Sequence, residues 1–193
     1  MGTIRTFIGV AVNKSIRNSA IRCAARLESS KAGYNWLAED NIHVTLNFAG
    51  DIDEMEIPAF CREIKSLAAK HDPFQLSIRG LGAFPEVARP RVLWLGVEEG
   101  ADHLRALHLK FAEVLREFGV NKEKNEYCPH LTLGRVRRDG RWNQALFDTM
   151  KRMEHHEAGE CFIDEVQIYS SHLDRMGPTY SVMSTVELLG DED

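Results

Sequence analysis

Two four-residue words carry the chemistry this chain can do: "HVTL" at residues 43–46 and "HLTL" at residues 130–133. Each sets an imidazole and a hydroxyl two positions apart. On a β-strand that spacing puts both side chains on one face. An imidazole titrates near pH 6.5, so one of a pair can accept a proton while the other donates one near neutral pH. Acid–base steps of this kind contribute about 10²–10⁴-fold each. A threonine hydroxyl can donate to a phosphate oxygen. If the two words face each other across a cleft, two imidazoles flank whatever binds there, with two hydroxyls beneath it. That layout suits a small anion attacked on one side and losing a leaving group on the other. One such word in a strand means little; two in matching contexts are a site split in half.

Strict alternation turns Val44, Leu46 and Phe48 inward and His43, Thr45 and Asn47 outward. In the second word Leu131 and Leu133 go inward, with His130 and Thr132 outward. Arg135 is the positive charge nearest either word, and a guanidinium matches phosphate geometry. Its parity points inward, so a twist or bulge at Gly134 must turn it toward the cleft.

Other residues offer weaker signals. Two histidines and a carboxylate can hold zinc, but the chain has no H-E-x-x-H and no H-x-H, and neither word carries an outward carboxylate; no metal site is expected. Cys128 has the chemistry of a nucleophile, and a buried structural cysteine is the expectation. His103 and His108 lie five apart on a helix, poorly placed to cooperate. Trp36, Phe7 and Tyr127 are candidates to stack on a base; Phe7 is expected in the core, and Tyr127, three residues before His130, is the preferred one. Arg137, Arg138 and Arg141 form a basic cluster, read as solvated surface or as a rim contact to RNA phosphates.

The elements that must position these groups are set by periodicity. "RTFIGVAV" (5–12) reads as a strand. Residues 15–31 carry Ile16, Ala20, Ile21, Ala24 and Leu27 at helical spacing, with Ser15 as the cap. "GYNWLAEDN" is a loop, and "IHVTLNFAG" a strand ending at Gly50. A helix over 53–70, a strand over 74–84, a strand over 91–99 and a helix over 101–118 come next. "PHLTLGRV" (129–136) is a strand, with a short helix at about 142–153 and strands over 161–171 and 180–189. The acidic "DED" end is expected to fray. The two words lie 87 positions apart, and "RTFIGV" and "RVLWLGV" lie 86 apart. Each of these strands leads through a helix to an H-x-T-L strand and then to another helix, which reads as an internal duplication.

Composition narrows the class. With 193 residues, 44% hydrophobic and 27% charged, the chain is an ordinary globular one that can bury a core unaided. A net charge of −5 argues against an extended duplex-binding face and leaves room for a local anion site. Four cysteines form no C-x-x-C pair. "MGTIRTFIGVAV" is too short to span a bilayer and lacks the parts of a signal peptide. A reduced, soluble, cytoplasmic protein is expected.

With these residues in view, the chain resembles the two-histidine phosphoesterases, and within them the RNA 2',3'-cyclic phosphodiesterases, formerly called 2'-5' RNA ligases. "EDNIHVTLNFAGDI" and "YCPHLTLGRV" are similar to the family's two motifs. "RTFIGVAV", "LGAFPEVARPRVLWLGVE" and "IYSSHLDRMGPTYSVM" resemble its opening, central and closing segments. The resemblance implies an α+β fold: one bilobal domain over residues 1–193, built from two related halves, with two antiparallel sheets, helices outside and a central cleft on a pseudo-twofold axis. It implies hydrolysis of 2',3'-cyclic phosphate ends on RNA or nucleotides to 2'-phosphates, with no metal or cofactor and no membrane, by a monomer. His43 then matches the general acid and His130 the general base, while Thr45, Thr132 and Arg135 match the phosphate-binding groups. The alternatives are 2'-5' ligation in the same cleft and a non-catalytic RNA-end binder.

Overall fold

The computed structural model describes residues 2–120, 126–174 and 177–190. The elements run β1 (Thr3–Ala11), α1 (Lys14–Glu28), β2 (Tyr34–Trp36), a 3-10 turn (Glu39–Asn41), β3 (His43–Asp53), α2 (Ile57–Ala68), β4 (Phe74–Phe84), β5 (Val92–Val97), α3 (Ala101–Glu117), β6 (His130–Val136), α4 (Gln144–Arg152), β7 (Glu157–Ile163), β8 (Glu165–Asp174) and β9 (Gly177–Glu187). The strands form an antiparallel path, β7-β4-β5-β6-β3-β1-β8-β9, with β2 added to β6. The two expected sheets are halves of this path. They meet at the motif strands through a single pair, Val44 opposite Leu131. Outward from that seam, each half runs motif strand, then the strand that opens its repeat, then two more.

Helices cover the outer faces. α1 packs on β7, β6 and α4, while α3 packs on β3 and α2. The stripe Ile16, Ala20, Cys23, Leu27 of α1 is buried because these positions recur at helical spacing. Leu104, Leu107, Phe111 and Leu115 do the same for α3. They close over Ile8, Val10, Val44, Leu46, Leu93, Leu95, Leu131 and Leu133, all at most 2% exposed. Burying each such side chain is worth roughly 1.5–3 kcal/mol, so the motif strands are held from behind by the core.

Several boundaries differ from expectation. Asn13, not Ser15, caps α1, its side chain accepting from the Ile16 amide at 2.9 Å. The stretch read as a loop holds β2, which finds a partner in β6 that no local signal reveals. The strand expected over 161–171 is two strands that part at Asp164, giving β7 to one half and β8 to the other. The "DED" end lies outside the described residues.

Candidate active site

The two motifs share a backbone device. Opposite β3, Ile8 faces Asn47 and Gly9 faces Thr45, so Leu46 has no partner. Opposite β6, Leu93 faces Gly134 and Trp94 faces Thr132, so Leu133 has none. Each H-x-T-L word thus ends on a β-bulge at its final leucine. A bulge inserts one residue and resets the parity of the strand beyond it. The residue after each leucine, Asn47 or Gly134, turns inward, and the next one, Phe48 or Arg135, returns to the side of the histidine.

This corrects the assignment of Phe48 and Asn47. Asn47 is buried at 4% and Phe48 exposed at 55%, the reverse of strict alternation. It also gives Arg135 its route to the cleft: Gly134 is buried and Arg135 exposed. Gly134 lies against β2 so closely that a Cβ there would sit 2.7 Å from the Trp36 ring and 2.9 Å from the Asn35 carbonyl.

The histidines are oriented alike. His43 Nδ1 lies 2.8 Å from the Asn41 carbonyl and His130 Nδ1 lies 2.7 Å from the Cys128 carbonyl. A carbonyl only accepts, so Nδ1 carries the hydrogen in each ring and Nε2 is left to exchange protons. His43 Nε2 is 2.9 Å from Thr45 Oγ1, as the shared strand face requires.

Their surroundings differ. His43 sits among Phe7 (4.9 Å between ring centroids), Tyr169 (5.5 Å) and Tyr180 (5.4 Å). Burial in that aromatic box pulls its pKa down to about 4; the Asn41 carbonyl opposes the shift and the charge of His130 adds to it. Phe7 is therefore both core, as expected, and one wall of the histidine's seat. His130 rests against Phe84 at 4.9 Å and Trp94 at 6.1 Å. Burial lowers its pKa as well, the Cys128 carbonyl opposes the shift, and the Arg135 guanidinium lowers it further. The two imidazoles feel each other, and Arg135 acts on one of them.

The bulge carbonyls in β3 are capped by side chains that motif reading passes over. The Tyr127 hydroxyl donates to the Thr45 carbonyl at 2.8 Å, and His108 Nδ1 lies 2.9 Å from the Leu46 carbonyl. The two rings stack on each other at 4.2 Å. One face of Tyr127 is thus occupied by His108. In β6 the matching carbonyl, that of Leu133, accepts from the Leu37 amide at 2.9 Å. The signal for His108 in the sequence was its place on the buried side of an amphipathic helix, which names no partner.

A chamber of about 510 Å³ opens beside His130, bounded by Thr45, Phe48, Phe84, Arg91 and Tyr127 among others. Cys128 also lines it and is exposed, not the buried cysteine expected. Trp36 instead packs against Gly134 and stacks on Tyr34, on β2. Among the described residues no cluster of three or more His, Cys, Asp or Glu is placed to hold a metal ion. No described helix is long and apolar enough to cross a membrane.

A curled antiparallel sheet with paired H-x-T-L strands at its seam defines a two-histidine phosphoesterase. Residues 16–175 match the 2'-5' RNA ligase superfamily, and the chain belongs to that superfamily. It is 33% identical over 98% of its length to the whole of a protein from Aquifex aeolicus named RNA 2',3'-cyclic phosphodiesterase. In fold it is similar to TT0787 of Thermus thermophilus, with a TM-score of 0.82 and 24% identity over 97% of this chain and all of that one. E. coli LigT, crystallised with 3'-AMP, superposes with a TM-score of 0.78 and 22% identity, over 96% of this chain and 98% of that one.

Proposed function

We propose that this chain is an RNA 2',3'-cyclic phosphodiesterase, a hydrolase that opens the cyclic phosphate at an RNA end to a 2'-phosphate and a 3'-hydroxyl. The observation that carries the reading is the matched pair of imidazoles, each with Nδ1 on the carbonyl two residues upstream and Nε2 left for proton exchange. A relative named for this activity, alignable over its whole length, supports it.

His130 Nε2 takes a proton from water as the water oxygen bonds to phosphorus. The bond from phosphorus to the 3' oxygen breaks, and His43 Nε2 delivers a proton to that oxygen. Thr45 and Thr132 donate to the non-bridging oxygens, and Arg135 neutralises them. Of the two roles, the acid needs the larger adjustment, because burial holds His43 neutral. A bound phosphate anion supplies the counter-charge and raises its pKa. The chamber beside His130 takes the nucleoside, with Phe48 as a stacking surface and Tyr127 as part of its wall. Two related halves over residues 1–193 supply one catalytic group each. With four unpaired cysteines, a monomer in the reducing cytoplasm fits the chemistry.

The test is product analysis. An oligonucleotide with a 2',3'-cyclic phosphate is incubated with the protein in excess chelator, and the position of the phosphate is read. A 2'-phosphate is expected. A product joined to a second strand would favour ligation, and binding without turnover would favour an RNA-end binder. Loss of turnover in chelator, restored by zinc, would replace the acid–base reading with a metal one.

A further inference from the structure

We propose that the Tyr180 hydroxyl is a fourth phosphate-binding group of the cleft, beside Thr45, Thr132 and Arg135, donating a hydrogen bond to the phosphate oxygen that Arg135 neutralises. The inference rests on the cyclic-phosphate reading above and adds a residue that the H-x-T-L words do not contain.

Tyr180 lies on β9, the outermost strand of the His43 half. The curl of the sheet nevertheless brings its ring edge-on to His43 and, at 4.9 Å, edge-on to Phe7. Asn41, whose carbonyl orients His43, also donates through Nδ2 to the Pro178 carbonyl at 2.7 Å. The start of β9 is thereby tied to the lead-in of the first motif, and the ring has a fixed seat.

Among the described residues, the fold makes no use of the hydroxyl. The chain has four tyrosines. Tyr34 donates to the Pro90 carbonyl at 2.6 Å, Tyr127 to the Thr45 carbonyl, and Tyr169 to Gln167 Oε1 at 2.5 Å. Tyr180 alone has no hydrogen-bond partner among the described residues. A phenol set among aromatic rings ordinarily finds one. Burial raises its pKa, while the guanidiniums of Arg135 and Arg5 oppose the shift. It is therefore a neutral O–H donor at working pH. The charge of Arg135 is felt by both His130 and Tyr180, so an anion held by Arg135 has an imidazole and the phenol as neighbours.

Tyr180→Phe keeps the ring over His43 and removes only the hydroxyl. Loss of a hydrogen bond to a charged group corresponds to roughly 10–100-fold in affinity. Calorimetry with 2'-AMP should show at least about tenfold weaker binding to Y180F at an unchanged melting temperature, and kcat/KM on a cyclic-phosphate end should fall by a similar factor. Wild-type affinity in Y180F overturns the proposal. So does damage confined to Tyr180→Ala, since the ring alone would then matter. If the wild type binds 2'-AMP through Tyr180 but does not open cyclic ends, the functional reading fails while the phosphate contact stands.

Discussion

In the two halves of the cleft, near-identical words are supported by different means. In the His130 half the bulge at Leu133 is closed by backbone: β2 lies along β6 and the Leu37 amide takes the freed carbonyl. In the His43 half the bulge at Leu46 is closed by side chains from outside the strand, His108 and Tyr127. The residue that each bulge returns to the cleft also differs, a guanidinium on one side and a phenyl ring on the other. A cleft with symmetric proton donors and acceptors thereby acquires a charged wall and an apolar wall. Under the proposed function, that difference sets which way round a substrate of phosphate and nucleoside binds.

The largest expected effect tests the symmetry. His43→Ala and His130→Ala should each lower kcat on a cyclic-phosphate oligonucleotide by about 10²–10⁴-fold. One silent variant would mean that the halves do not share the work.

Next come the unlike residues five past each histidine. Arg135→Ala should cut kcat/KM by roughly 10–100-fold, through a lost charge-assisted contact. Phe48→Ala should raise KM for nucleotide substrates about tenfold with kcat held, the scale of one stacked base. Similar kinetic signatures for the two would erase the proposed polarity.

The supports should separate more gently. His108→Ala and Tyr127→Phe should loosen only the first motif, costing about tenfold in turnover, with NMR shifts confined to the His43 ring. Gly134→Ala should act on the other half by crowding Trp36. An overpacked site costs about 1–3 kcal/mol, which for a chain this long lowers Tm by a few degrees.

The last effect is on stability against pH rather than on turnover. The folded-state pKa of His43 lies below its ordinary 6.5, at about 4, so the folded chain binds fewer protons there than the unfolded one. Stability from this group is complete above about pH 6.5 and is lost as the pH falls from there toward 4. Tm measured from pH 7 to 4.5 should fall less steeply in His43→Gln. An unchanged slope would show that the aromatic box does not hold His43 neutral.

Much of the site was legible because it is local. The pairing of His with Thr on one face needs only strand alternation, and His43 Nε2 meets Thr45 as that rule requires. The near-equal offset of the two words and their flanking strands reads as a duplication, and the strand order runs alike on either side of the seam. Arg135 was legible as a contradiction: its type suited phosphate, its parity forbade it, and a bulge was the required remedy. Phe48 and Asn47 were misassigned because no such contradiction drew notice to them. An apolar residue sent inward looks right.

By itself the sequence determined the chemistry on offer, the faces of the first three residues of each word, and the helical stripes that brace them. Those depend on side-chain type and on periods of 2 and 3.6, which need no partner. Only the tertiary structure decided the bulges, the capping by His108 and Tyr127, the aromatic box that holds the His43 ring neutral, and the arrival of Tyr180 from the far edge of the sheet. Each depends on which strand lies alongside and how the sheet curls. Hydrogen-bond register and desolvation are properties of neighbours brought together by folding, and no stretch of residues encodes them alone.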